Sequence, residues 1–234
     1  MPLQNRVDPF GEISARPERG TLMGNRGGRL HDADKRLGRR RWVSKSWIAC
    51  QLCFKGRARE VMGPSYTELF FLDEATALAA GHRPCFECRR ADAIAFAEAW
   101  AASAGLEAPP RAAEMDRTLH EERLMRRFGR RSKSKRSFEA RLSSLPSGAM
   151  VALWGASWLV ADDYLLRWSH AGYVQAIRPL DGMARVLTPP SIVGALRAGY
   201  RPLIAEPLAS VDPDMRPSAR KGRTSGWRPR RGAA

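Results

Sequence analysis

The residues of this chain best placed to do chemistry are its four cysteines, which fall in two pairs: Cys50-Gln51-Leu52-Cys53 and Cys85-Phe86-Glu87-Cys88. Together they write C-x2-C followed by C-x2-C, an arrangement that commonly encloses a tetrahedral zinc ion. Two thiolates of one such pair reach adjacent corners of a tetrahedron only if the backbone turns between them. In the second pair Pro84 stiffens the approach, and Cys88 is expected in the first turn of a helix. Unpaired N–H groups and the positive end of the helix dipole there favour thiolate over thiol. The first pair sits in IACQLCFK, which contains no Gly or Pro, and on a straight strand Cys50 and Cys53 would face opposite sides. Two readings stay open for it. Either both thiols bind metal, or one is a buried strand cysteine acting as a small hydrophobe, with His31 or His82 completing the site.

Several elements must hold these thiols. Trp42 to Phe54 is β-rich in composition and Tyr66 to Leu72 is a second strand candidate. Asp73 is placed to cap a short helix from Glu74 to Ala80, closed by Gly81. A longer helix is expected from about Glu87 to Ser103, its Ala93, Phe96, Ala97 and Trp100 forming one apolar stripe. Residues 41–104 thus make a compact metal-binding unit, preceded by an irregular basic arm, 1–40, ending in Arg36, Arg39, Arg40 and Arg41. Pro109 and Pro110 mark a break. Residues 105–146 read as a basic helical linker: a helix from Ala112 to Phe128 with Leu119, Leu124 and Phe128 on a thin apolar face, then the run Arg130 to Arg136.

Residues 147–208 read as a second, β-rich unit, a meander or SH3-like. Its strands are expected over Ala149 to Trp154, Ala156 to Ala161 and Tyr164 to Ser169, with a hairpin signal at Asp181-Gly182 and a helix opened by Pro189-Pro190 and closed by Gly199. Trp154, Trp158 and Trp168 are expected to anchor its core. Residues 209–234, with Pro, Arg and Gly and almost no apolar side chains, are expected to be a disordered basic tail. The fold class is therefore α+β.

The net charge of +16 creates a field that draws polyanions by counterion release. Arginine dominates that surplus, which also fits the composition of a GC-rich genome. No apolar run is long enough to span a bilayer, and Met1 to Gly11 lacks the pattern of a secretory signal. The expectation is a cytoplasmic protein, nucleoid-associated if it binds DNA, in which paired cysteines bind metal rather than form disulfides. There is no Gly-x-Ser-x-Gly, P-loop or dinucleotide fingerprint. His120 with Asp116 or Glu121 has no recognised metal-nuclease spacing, and Asp162 and Asp163 read as turn formers.

The segment Phe70 to Arg90, FFLDEATALAAGHRPCFECRR, resembles the metal-binding domain of the Ada family of DNA-alkylation-repair proteins. Gly81, Arg83, Pro84, Cys85, Cys88 and Arg89 fall on the family's motif, with His82 at its aromatic position. The match is specific over about twenty residues and extends over roughly 42–90. It implies a small zinc-centred domain with Zn2+ on Cys50, Cys53, Cys85 and Cys88, touching DNA backbone. It also implies that Cys50 is the acceptor of a methyl group from a methylated phosphate. Arg83, Arg89 and Arg90, with Lys45, Lys55 and Arg57, are the expected phosphate contacts.

The expected function is zinc-dependent nucleic-acid binding, DNA first, in DNA repair or its regulation. Two alternatives are a self-methylating methylphosphotriester–cysteine methyltransferase and a zinc-stapled protein-interaction scaffold.

Overall fold

In a computed structural model the described residues are 1–56, 60–127, 130–178 and 181–206, the side chains of 126, 127 and 130–133 excepted. Two six-stranded sheets enclose one short helix, α1 (Glu74–Ala79), between them. Helices and sheets are mixed as an α+β fold requires.

The first sheet comprises β1 (Gln4–Val7), β2 (Ile13–Ala15), β3 (Leu22–Asn25), β4 (Ile48–Cys50), β5 (Leu69–Phe71) and β6 (Arg83–Pro84), in the order β2-β1-β5-β3-β4-β6. Three of these strands come from residues 1–40, so that segment is no irregular arm but half of the sheet that carries the cysteines. Val7, Ile13 and Leu22 are buried with Leu69 and Phe71 in one cluster. Such strands are only three or four residues long, and apart from the β1–β2 pair their partners lie far along the chain, as in the pairing of Arg6 with Phe70. No local alternation of that length marks a strand.

Residues 105–146 are not a linker either. Helix α2 (Arg90–Ala104) and helix α3 (Ala112–Arg123) both enter the main core, where Phe96, Trp100, Met115 and Leu119 meet Val151, Trp158 and Leu165. The chain leaves α3 as an antiparallel pair, β7 (Leu124–Arg127) with β8 (Arg130–Lys135), where a continuing helix was expected. Phe128 lies outside the described residues.

The second sheet holds β9 (Phe138–Arg141), β10 (Met150–Leu153), β11 (Ala156–Ala161), β12 (Tyr164–Ser169), β13 (Gly172–Ile177) and β14 (Met183–Val186), in the order β13-β12-β11-β10-β14-β9. The β10-β11-β12-β13 run is the expected meander. The Asp181-Gly182 signal does not join β13 to β14 as a hairpin, because β14 pairs with β10 and β9 instead. Helix α4 (Pro190–Arg197) starts on proline as expected and contributes Ile192 and Leu196 to the core. Trp158 is buried, whereas Trp154 is 64% exposed and anchors nothing.

Helix α1 explains why the two sheets form one unit. Its Ala77 packs on the first sheet with Ala80, while its Ala75 and Ala79 pack on Leu159, Leu166 and Tyr173 of the second. Ala75, Ala77 and Ala79 let two sheets approach one helix. The same burial places Asp73 and Glu74 between the sheets, and each is fully partnered. Asp73 caps α1 through Thr76 and accepts from the Tyr173 hydroxyl at 2.7 Å and the Ala205 N–H at 3.0 Å. Glu74 accepts from Arg89 at 2.7 Å, Tyr200 at 2.6 Å and the Leu203 N–H at 2.9 Å. Burial raises the Asp73 pKa, and the bonds from Thr76, Ala205 and Tyr173 offset part of that cost. Residues 41–104 and 147–206 are thus tied through one polar network rather than strung as separate units.

A candidate metal centre

The position of Cys50 follows from strand pairing. β4 runs parallel to β6, with Ile48 opposite Arg83 and Ala49 opposite Pro84. The Cys85 N–H donates to the Ala49 carbonyl at 3.0 Å. One further step on each strand sets Cys50 beside Cys85. Pro84 is tolerated there because β6 is the edge of the sheet, where no partner needs its missing N–H. After Cys85 the chain turns, the Arg89 N–H donating to the Cys85 carbonyl at 3.0 Å, and α2 begins only at Arg90. Cys88 therefore sits in that turn, ahead of the helix rather than within its first turn.

The sulfurs of Cys50, Cys85 and Cys88 all lie within 4.8 Å of one another. Two thiolates bound to one tetrahedral zinc at about 2.3 Å stand about 3.8 Å apart, so the trio needs little adjustment to hold a metal ion. The protonation pattern agrees with that role. Hydrogen bonds from Cys50 and Cys88 pull the Cys85 thiol down to about 2. The bonds to Cys85 and Cys88 push Cys50 far above the ordinary thiol range. Cys88 is drawn down by Cys50, but Cys85 and burial raise it further, so it ends above its usual value. A bound cation would favour the thiolate forms of all three by supplying positive charge. The Glu87 N–H donates to Cys85 Sγ at 3.4 Å, fixing one sulfur from the backbone.

The structure does not bring the expected fourth cysteine to this group. Cys53 is exposed and lies outside the trio. Neither histidine substitutes for it. His31 bonds through Nδ1 to Thr67 Oγ1 at 2.6 Å and through Nε2 to the Gly63 carbonyl at 3.1 Å. His82 is wholly buried between Trp47 and Phe71, its ring 5.1 and 4.7 Å from theirs. Burial, then Arg26 and Arg123, hold its pKa well below the imidazole range, so it packs as a neutral aromatic ring.

Beside the three sulfurs opens a cavity of about 420 Å3, walled by Ile48, Phe54, Tyr66 and Phe70. Glu68 also lines it, accepting from the Met62 N–H at 2.7 Å. Sequence reading had no route to this cavity, since its walls come from four separate segments.

The expected phosphate contacts divide. Arg83 is buried and makes a bidentate pair with Asp116, 2.8 Å on both arms, and Arg89 is buried on Glu74 and Asp92. These two arginines hold the fold and face no solvent, which removes them as backbone contacts. Lys45, Lys55 and Arg90 are exposed, together with Arg29, Arg36, Arg39 and Arg40 on the chain between β3 and β4. Arg57 lies outside the described residues.

A second cationic group, unanticipated from the sequence, surrounds Trp47. The guanidinium carbons of Arg26 and Arg123 lie 4.0 and 3.9 Å from its ring centroid. Burial pushes both arginines down to about 9 and Lys135 down to about 7. Backbone carbonyls of Gly11, Gly81 and Ala79 accept from the three. Spacing could not have signalled this group, whose members come from the residue after β3, from α3 and from β8.

No family model, curated protein or solved structure matches the chain. Among the described residues no helix is long and apolar enough to cross a membrane.

Proposed function

We propose that the protein binds Zn2+ through Cys50, Cys85 and Cys88 and, braced by that ion, binds nucleic acid along its exposed basic surface, DNA before RNA. The convergence of three sulfurs from two distant segments carries the metal half of this reading. The three donors suit zinc because it takes thiolates tetrahedrally and undergoes no redox change. The net charge of +16 and the exposed Arg29, Arg36, Arg39, Arg40 and Lys45 support the nucleic-acid half. The resemblance of residues 70–90 to the Ada zinc domain points to DNA and to alkylation repair or its regulation.

Metal analysis of the purified chain tests the first half. One zinc per chain is expected in the parent and in Cys53→Ser, and its loss in Cys50→Ser, Cys85→Ser and Cys88→Ser. Retention in all three would end the reading. For the second half, zinc-loaded protein is expected to bind duplex DNA with an affinity that falls by orders of magnitude as salt rises from low to moderate concentration. Reversing Arg39 and Arg40 to glutamate lowers both affinity and salt slope. Absence of binding at low salt in folded, zinc-loaded protein would favour a zinc-stapled scaffold for other proteins.

A second reading has one observation of its own: Cys50 lines the cavity and is reachable from it. In that reading the Cys50 thiolate attacks the methyl carbon of a phosphotriester. An S–C bond forms as the C–O bond breaks, and the phosphodiester leaves with the electron pair. A stoichiometric mass gain of about 14 Da on Cys50 after exposure to alkylated DNA is the expected result. Full uptake by Cys50→Ser would exclude it.

A further inference from the structure

The pocket beside Trp47 carries more positive charge than the fold neutralises. Arg26, Arg41, Arg123 and Lys135 line it, with Glu12 as the one carboxylate. Arg26 and Arg123 are each 1% exposed. Among the described residues no ion pair joins Arg26, Arg123 or Lys135 to a carboxylate. Asp8 and Glu12 act on Arg26 through space, and Asp116, which acts on Arg123, is held by both arms of Arg83. Burial first, then Arg26 and Arg123, hold Lys135 down at about 7, so the three cations feel one another. The Ala79 and Gly81 carbonyls, at the C-terminal end of α1, accept from Lys135 and Arg123. A helix end supplies at most about half a charge. The group is therefore short of anion, and Arg123 Nε is buried with no acceptor. Resting on the nucleic-acid reading above, we infer that this pocket seats one phosphate group of a bound strand, at an anion site separate from the three sulfurs.

Size sets how the group enters. The cavity of about 20 Å3 has room for one oxygen-sized atom, so a phosphate oxygen fits while the rest of the strand stays outside. Arg41, the lining arginine that is not fully buried, is available to the part left outside. Stacking of Arg26 and Arg123 on the Trp47 ring holds their forks in place, and such forks match phosphate oxygens. The surroundings select a strand over a lone anion. The chain between β3 and β4 carries the exposed Arg29, Arg36, Arg39 and Arg40, and the exposed Arg136 follows Lys135. These two basic stretches meet at the pocket, where Arg123 donates to the Lys45 carbonyl and the Arg136 N–H donates to the Arg123 carbonyl. A row of phosphates would find cations on both sides of the seat.

Two measurements on the full-length protein test the site. In the first, millimolar inorganic phosphate replaces chloride at equal ionic strength, and the melting temperature is expected to rise by about 3 °C or more. Lys135→Met should lose most of that rise and Arg41→Gln part of it. Arg167→Gln, an exposed arginine on β12 that removes the same charge, should keep it whole. In the second, binding of a short duplex oligonucleotide is followed by fluorescence anisotropy across a salt series. Lys135→Met and Arg41→Gln should each lower the salt slope by about one, the size of one lost phosphate contact. Should Lys135→Met not fold, Arg41→Gln carries both measurements. Chloride stabilising as well as phosphate would mean a monatomic anion and overturn the inference. So would a phosphate effect that persists in every variant, since that is a general salt effect on the folded state. A phosphate effect lost in the variants beside an unchanged oligonucleotide slope would assign the pocket to free phosphate, which also overturns it. Absence of any oligonucleotide binding at low salt is a different result, and it would sink the nucleic-acid reading beneath.

Discussion

His82 shows at the scale of one residue how the fold overrides a side chain's usual chemistry. A histidine three positions before a Pro-flanked cysteine pair invites a ligand role, yet this ring is buried against Trp47 and Phe71 with two arginines nearby. Its folded pKa lies well below the unfolded value near about 6.5. Between those values the unfolded chain binds more protons, so this residue contributes stability that is complete above the unfolded pKa and drains away as pH falls. The expected slope is at most about 1.4 kcal/mol per pH unit. Thermal melts of the parent and of His82→Phe between neutral and mildly acidic pH measure it. The variant should lose less stability on acidification, and identical slopes would show that His82 is accessible to protons in the folded state. Which thiols converge was half legible at this scale. Pro84, Cys85 and Cys88 identify themselves locally, because proline and a two-residue gap impose the turn. Cys50 over Cys53 is decided by the register of β4 on β6, a contact made across more than thirty residues that composition does not encode.

At the scale of elements, the metal centre depends on how closely β3, β4 and β5 lie. Gly24 is the middle of that packing: it pairs with Ala49 on one side and Leu69 on the other. A Cβ there would lie 2.2 Å from the Ile48 carbonyl oxygen and 2.8 Å from Phe71 Cε2. Backbone on one side and a buried ring on the other leave it no room, so Gly24→Ala must push β4 away from β3. Because Cys50 ends β4, opposite Met23, the displacement reaches the sulfur. We expect a stability loss of about 2 kcal/mol or more together with weaker zinc retention under chelator competition. Normal zinc affinity in a destabilised variant would show that β4 and β6 move as one body. The elements that sequence reading recovered best are those with self-contained signals. Asp73 caps α1 as expected, Pro190 opens α4, and β11 and β12 occupy the strands read from their β-branched and aromatic runs. The strands of residues 1–40 were missed because they are only three or four residues long, and β1 and β3 are held by partners far along the chain.

For the whole molecule, the question is whether the cysteine-bearing sheet and the meander unfold together. Two units joined by a basic linker would melt separately, with the metal affecting only the first. The structure instead sets Asp73 and Glu74 in a shared interior, and Trp168 donates through its indole nitrogen to Thr76 at 3.0 Å, so the meander is bonded to the N-terminal end of α1. Separating the sheets would break these bonds and open the apolar surface packed on both sides of α1 to water. Removing the proposed zinc should therefore lower the melting temperature of the entire chain. Tryptophan fluorescence, to which Trp158 and Trp168 of the second sheet contribute, should fall at the same midpoint as far-ultraviolet circular dichroism, the signature of one cooperative transition. Tyr173→Phe probes the joint directly. It leaves Asp73 buried without the Tyr173 hydroxyl on Oδ2, at an expected cost of about 1–3 kcal/mol, and should lower that common midpoint without altering zinc stoichiometry. If chelation instead produced a low-temperature transition that left the fluorescence of the meander untouched, the network would be bridging two independently stable bodies. The proposed zinc would then brace only the half of the chain that carries its ligands.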